Sequence, residues 1–238
     1  MKVLRQDTLR TRKSLLMAAS EIFAERGYRD ATIAEISEQA GTNIAAINYH
    51  FGGKEALYRE AWRQSFRDSM IAHPPDGGVD RNAPPKQRLR GELVSLLRRI
   101  TDNGNREFSI AHQEFANPTG LLEEVMEEEL RPLRERTIAL VREVLGPGNS
   151  EIQVRFCAIS IISQCVFPSF MNRIEKRAND PEKDSWRVDD IEGYAEHVVA
   201  FSLAGMGAIR DRTEESSGAQ GPAHHTQDSL EDPTRITG

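Results

Sequence analysis

Residues 32–54 gather side chains that can donate or accept hydrogen bonds or carry positive charge: Thr32, Thr42, Asn43, Asn48, Tyr49, His50 and Lys54. A carboxamide such as Asn48 carries an acceptor and two donors, the set needed for a paired contact with adenine, while hydroxyl and ammonium groups reach phosphate oxygens. Ile44, Ala45 and Ala46 lie between them and are apolar, which suits thymine methyl groups. Catalytic patterns are weaker. His112 and Glu114 stand two apart and point to different sides of a helix, Cys157 has no His partner in a recognisable arrangement, and no Gly-rich phosphate loop occurs. An enzyme is therefore the remote alternative. A metal-responsive protein is another, since His112, His197, Cys157 and Cys165 could meet in space and His224-His225 form a pair, but their spacing matches no zinc motif. No metal site and no cofactor are expected.

Two short helices must hold this cluster. Thr32 followed three residues later by Glu35 is a capping-box signature, and Ile33, Ile36 and Ala40 then share a face. Gly41 interrupts, Asn43 is a good N-cap, and Ile44, Ile47 and Phe51 recur at helical spacing. Two helices joined by a tight turn make a helix-turn-helix, whose second helix is the usual reader of a major groove. Residues 8–26 form the helix before it, with Leu9, Leu16, Ala19, Ile22 and Phe23 inward and Gly27 at the C-cap. A fourth helix begins near Lys54 and keeps an apolar stripe to about Ala72.

AGTNIAAINYHFGGKEALY resembles the DNA-binding domain of the TetR family of bacterial transcriptional repressors, through Ala40-Gly41 at the turn, Tyr49-His50-Phe51 closing the recognition helix and Lys54-Glu55 opening the next. Asn48 departs from the pattern, standing where the family more often has an aromatic residue. The resemblance implies that Thr42, Asn43, Ile44, Ala45, Ala46 and Asn48 face DNA and that Thr32, Tyr49, His50 and Lys54 hold phosphates. HQEFANPTGLLEEVMEEELRPLRE is similar to the ligand-binding domain of the CecR-like branch, where a Glu-x-x-x-Pro-Thr step precedes a long helix. Together these resemblances imply a ligand-responsive repressor that binds a palindromic double-stranded operator as a homodimer and is released by a small-molecule inducer.

The net charge of −6 is a poor recommendation for a nucleic-acid binder, but its distribution is uneven. Residues 1–70 hold 11 Lys/Arg against 9 Asp/Glu (+2), and the remainder holds 20 against 28 (−8). Lys2, Arg5, Arg10, Arg12 and Lys13 against Asp7 give the first 13 residues +4, a candidate arm for phosphate contact. A protein relying on nonspecific phosphate attraction alone would not carry the overall negative charge. The longest apolar run, residues 156–170, is shorter than a membrane span, and the N-terminus lacks the apolar core of a signal peptide, so no membrane partner is expected. Two cysteines, Cys157 and Cys165, two turns apart on one helix, suit a reducing cytoplasm.

Beyond the first 72 residues, HPPDGGVDRNAPP (residues 73–85) reads as a linker. Residues 86–211 then read as a helical ligand-binding and dimerisation domain, with helices over 86–101, 106–116, 121–145, 150–177 and 187–211. No strand-like alternation appears, so the fold class is all-α with about nine helices. The run FCAISIISQCVFPSF is apolar on nearly every side, which requires burial in the core or against a second subunit. The last helix has a face rich in small residues, so these final two helices are the candidate dimer interface. Phe108, His112, Phe115, Phe156, Phe167, Phe170 and Met171 are candidate pocket residues for a moderately apolar ligand, with Gln113, Glu114 and Arg173 as further polar anchors. Residues 212–238, rich in Ser, Gly, Gln, His and acid, cannot bury a core.

Overall fold

A computed structural model describes residues 2–102, 104–178, 188 and 190–218. All regular structure among them is helical: α1 (Lys2–Asp30), α2 (Ile33–Gln39), α3 (Ile44–Phe51), α4 (Lys54–Ala72), α5 (Pro85–Thr101), α6 (Glu107–Ala116), α7 (Glu123–Leu145), α8 (Glu151–Ala178) and α9 (Ile191–Gly218). The sequence periodicity locates most interior helix bounds to within about two residues, but α1 runs past Gly27 to Asp30 instead of ending at residue 26, and α9 begins at Ile191 instead of 187. The ends differ. The basic N-terminal stretch continues α1 as far as Lys2 instead of forming a separate arm, consistent with a stretch free of Gly and Pro and rich in good helix formers. At the other end α9 runs on to Gly218, so the segment from residue 212 begins helical, and residues 219–238 lie outside the described part.

Local chemistry sets the turns of the N-terminal half. Thr32 accepts a hydrogen bond from Glu35 N (3.2 Å) and the Glu35 carboxylate accepts one from Thr32 N (3.0 Å), completing the capping box. Asn43 Oδ1 accepts from Ala46 N at 3.0 Å and starts α3. Gly27, at φ 73°, occupies the left-handed region, which is costly for residues with a Cβ; it breaks α1 before a last turn that carries Tyr28. Tyr28 thereby packs on Phe23 and Tyr58, at ring separations of 6.4 and 5.1 Å.

Packing divides the chain differently from its connectivity. A first core joins Leu15, Ala19, Phe23, Ile36, Ile47, Leu57, Tyr58 and Trp62 of α1–α4, and it also takes in Ile110 of α6 together with Leu122 and Val125 at the start of α7. A second core joins α5, the C-terminal half of α7, α8 and α9 through Leu89, Leu93, Leu97, Val141, Leu145, Ile161 and Val198. α7 therefore serves both cores. Pro132, which lacks an N–H and so removes one helical hydrogen bond, lies between its two halves. The segment over residues 73–84 is a tightly packed strap: a Cβ on Gly77 would lie 2.3 Å from the Gly91 carbonyl oxygen, and Ser95 Oγ donates to Pro74 O at 2.6 Å.

Candidate nucleic-acid interface

α3 is amphipathic in three dimensions. Ile47 is fully buried, whereas Ile44, Ala45, Asn48 and Tyr49 face outward, Tyr49 being 78% exposed. The Asn48 amide makes no hydrogen bond within the protein among the described residues, so all its donors and its acceptor are available. The remaining candidates are partly occupied. Ala46 packs against the first core because it lies one residue before Ile47 on the inward side of the helix. Asn43 spends its side-chain oxygen on the cap and keeps its amino group. The Thr42 hydroxyl is buried without a partner, and the Thr32 hydroxyl both caps α2 and donates to Glu35 at 2.8 Å.

At the far end of α3, His50 is half-buried with its ring 5.0 Å from that of Tyr49. Lys54 begins α4 with its ammonium 4.4 Å above the Tyr28 ring. Burial pushes the Lys54 pKa down from its ordinary value, against an opposing pull from Asp30. Arg12, one of the basic residues of the candidate phosphate arm, lies 5.1 Å from the Phe51 ring centre and pairs with Glu60 at 2.9 Å, fixing the end of α3 against α1 and α4. An aromatic residue closing the recognition helix and a basic one on α1 were the available signal, but their contact depends on the crossing of two helices.

The corner between α6 and α7 is fastened to this head. Glu114 Oε1 accepts from Thr119 N (2.8 Å), Thr119 Oγ1 (2.9 Å) and Gly120 N (2.9 Å), and Oε2 accepts from the Tyr58 hydroxyl of α4 at 3.1 Å. Burial, then the neighbouring Glu114 carboxylate, drive the Tyr58 phenol upward, so it remains a donor. Gln113 Nε2 donates to Glu25 O (2.9 Å), Arg29 to Pro118 O (3.2 Å) and Arg59 to Leu121 O (3.0 Å). Gln113 and Glu114 thus tie head to body, which corrects their expected place as pocket anchors. The Glu-x-x-x-Pro-Thr step is legible here as a carboxylate positioned to accept from the turn that follows it.

Among the described side chains, the expected ligand-pocket residues are not brought together. Phe115 (65% exposed), Phe156 (59%) and Phe167 (52%) face outward, because helical periodicity marks an apolar side without naming what covers it. Phe108 packs against the second core and His112 is half-buried on α6. Phe170, Met171 and Arg173 lie outside the described side chains. A cavity of about 650 Å³ instead lies between α1, α4 and the turn joining α5 to α6.

α8 is buried along one side only, through Val154, Cys157, Ala158, Ile161 and Cys165, with Ile152, Phe156, Ile159 and Phe167 exposed along the other. Of the expected burial in the core or against a second subunit, the core of the single chain supplies one side. Both thiols are free, and burial raises them, Cys165 to about 12. Residues Glu151–Ser169 have the length and mean hydropathy (1.3) of a membrane span by composition alone, yet their buried side is built into the second core.

A helix-turn-helix head on a helical body is the architecture of a DNA-binding regulator, and comparison with known proteins agrees. Residues 15–61 match the bacterial regulatory proteins of the tetR family, and residues 85–206, just over half the chain, match the C-terminal domain of the HTH-type transcriptional dual regulator CecR. The chain belongs to the TetR family, a family of transcriptional regulators and not of enzymes, and its C-terminal domain is of the CecR type. It is 32% identical to CecR of Shigella flexneri over 57% of this chain and 65% of that protein. Identity to the transcriptional repressor KstR2 of Mycobacterium tuberculosis is 39% over 37% of this chain, and the match spans only 44% of KstR2. A TetR-like regulator from Rhodococcus sp. RHA1 superimposes with a TM-score of 0.61 at 16% identity, covering 83% of this chain and 96% of that one. At that identity the likeness is one of fold.

Proposed function

We propose that the protein is a ligand-responsive transcriptional repressor that binds a palindromic double-stranded DNA operator as a homodimer and releases it when a small-molecule inducer binds. One observation carries the reading: the outward face of a short, doubly capped helix presents Ile44, Ala45, Asn48 and Tyr49, with the Asn48 amide unengaged. In a major groove, Asn48 would pair with adenine and Ile44 and Ala45 would meet thymine methyls, while Tyr49, His50, Lys54 and the Asn43 amino group would hold the phosphate backbone, joined by Thr32 once its hydroxyl turns from Glu35 to the phosphate. Thr42 and Ala46 support that surface from its inner side.

Dimerisation is argued from α8 and α9. Ile152, Phe156, Ile159 and Phe167 form one exposed stripe on α8; His197, Phe201, Ala204 and Ala208 form another on α9. A four-helix contact between two copies would cover both stripes and set two recognition helices at a fixed separation. No membrane partner or cofactor enters the reading, and the cytoplasm is the compartment it requires. Selection of DNA sequences by the purified protein tests it. A symmetric operator with A·T pairs within each half-site is expected, and recovery of no enriched sequence would sink the proposal.

A further inference from the structure

Arg63 of α4 places a different nitrogen on each of three carboxylates: Nη1 donates to Glu60 Oε1 (3.0 Å), Nε to Glu129 Oε1 (3.1 Å) and Nη2 to Glu128 Oε2 (3.0 Å). Glu60, on the same helix, accepts with its second oxygen from Arg12 Nη2 of α1 at 2.9 Å. Arg12 in turn lies over the ring of Phe51, the last residue of α3. A continuous run of charged contacts therefore joins α7 to the end of the recognition helix. Single exposed ion pairs contribute little, but a partly shielded guanidinium shared among several carboxylates holds its geometry better. The Arg63 side chain is 25% exposed, against 50% and 56% for the single pair Arg134–Glu127 on α7. The α7 end of the run is also placed to move. Pro132 lacks the N–H that would donate to the carbonyl of Glu128, four residues earlier, so the helix is weakened beside the two carboxylates, between its halves in the first and second cores.

We infer that Arg63 is a positioning residue for operator recognition: anchored on Glu128 and Glu129 of α7, it fixes Glu60, through Glu60 it fixes Arg12, and through Arg12 the Phe51 end of α3. The inference rests on the operator-binding reading above and deepens it, by assigning a role to a residue outside the outward face of α3. A displacement of this part of α7 that separates its carboxylates from Arg63 lowers operator affinity, which gives the body a route to the recognition helix. Contiguity becomes coupling when a change at one end alters the other, so the test perturbs the α7 end.

Glu128→Ala with Glu129→Ala removes the anchor at positions where neither carboxylate has another hydrogen-bond partner among the described residues, and Ala keeps α7 helical. Operator binding by the full-length protein, measured by fluorescence anisotropy on the selected sequence, is expected to weaken by about three- to ten-fold. The sign discriminates, because removing two negative charges from a DNA-binding protein would by charge alone strengthen its hold on phosphates. In an Arg12→Met background the same pair of substitutions should weaken binding no further. The amide NMR shifts of residues 48–52 in the DNA-free protein should move with the alanine pair only where Arg12 is present. Affinity that is unchanged or rises, a loss of equal size with and without Arg12, or α3 shifts indifferent to the alanine pair overturns the assignment. Failure of the wild-type protein to bind any selected operator overturns the regulator reading instead, and the DNA-free shifts then decide the positioning of α3 by themselves.

Discussion

Asn48 departs from the aromatic residue usual at its position in the resemblance, and its amide is unengaged, so base preference should be sensitive to it. Asn48→Ala should weaken operator binding by about 1–3 kcal/mol, with the loss concentrated at one A·T pair per half-site. Binding to a panel of single-base operator variants checks this, and a uniform loss across all positions would reassign Asn48 to backbone contact. Glu35 supports the same surface from below. Hydrogen bonds from the Thr32 side chain, then from its backbone, hold the Glu35 carboxyl below its ordinary value, with Arg26 assisting. A carboxylate with a depressed native pKa contributes stability that is present above its unfolded-state value and is lost as pH falls through the native one. The melting temperatures of wild type and Thr32→Val should therefore differ at neutral pH and converge toward pH 3, and a gap independent of pH would contradict the capping account. Thr32 and Asn43 illustrate what was and was not legible. Their cap positions follow from local sequence, but which atoms the caps leave for DNA, the amino group of Asn43 and no free donor on Thr32, emerges only from three-dimensional geometry.

Helix bounds were largely legible because each element carries its own start and stop: Asn43 and Gly52 around α3, Pro85 at the start of α5, Gly146 after α7. Which face meets which neighbour was not. Phe156 and Phe108 read alike as apolar positions on helices, yet one is exposed and the other packs beside Arg99. The exposed stripes of α8 and α9 argue for a second copy of the chain. Placing one glutamate on each, Phe156→Glu with Phe201→Glu, puts charge at the centre of that contact, where burial without a partner is costly. The variant should sediment as a monomer at concentrations where wild type is a dimer. It should also bind a full operator no better than a half-site, because the link between two recognition helices is lost. A wild-type protein that sediments as a monomer would remove the basis of the operator geometry.

At the scale of the whole molecule, the obvious boundary in the chain, the Pro/Gly-rich segment over residues 73–84, is not where the packing divides. The first core draws Ile110, Leu122 and Val125 from beyond it, and Gln113, Glu114 and the Leu121 carbonyl bond back to α1 and α4. The head and the α6–α7 corner therefore form one packing unit, and any displacement of α6 by a ligand is felt by α1 and α4 directly. A fragment of residues 1–72 would contain the complete helix-turn-helix and still lack that support. Losing three buried aliphatic side chains, at about 1.5–3 kcal/mol each, removes about 5–9 kcal/mol of burial. That is comparable to the entire stability of a small domain, about 5–15 kcal/mol. The fragment is expected to show weak helicity and a broad, low-temperature melt by circular dichroism, whereas in the full-length protein amides of α1, α4 and α6 should exchange together as a single protected unit. A fragment melting within a few degrees of the full-length protein would mean that α6 rests on the head without stabilising it, and the coupling between body and recognition helix would then have to run through α4 alone.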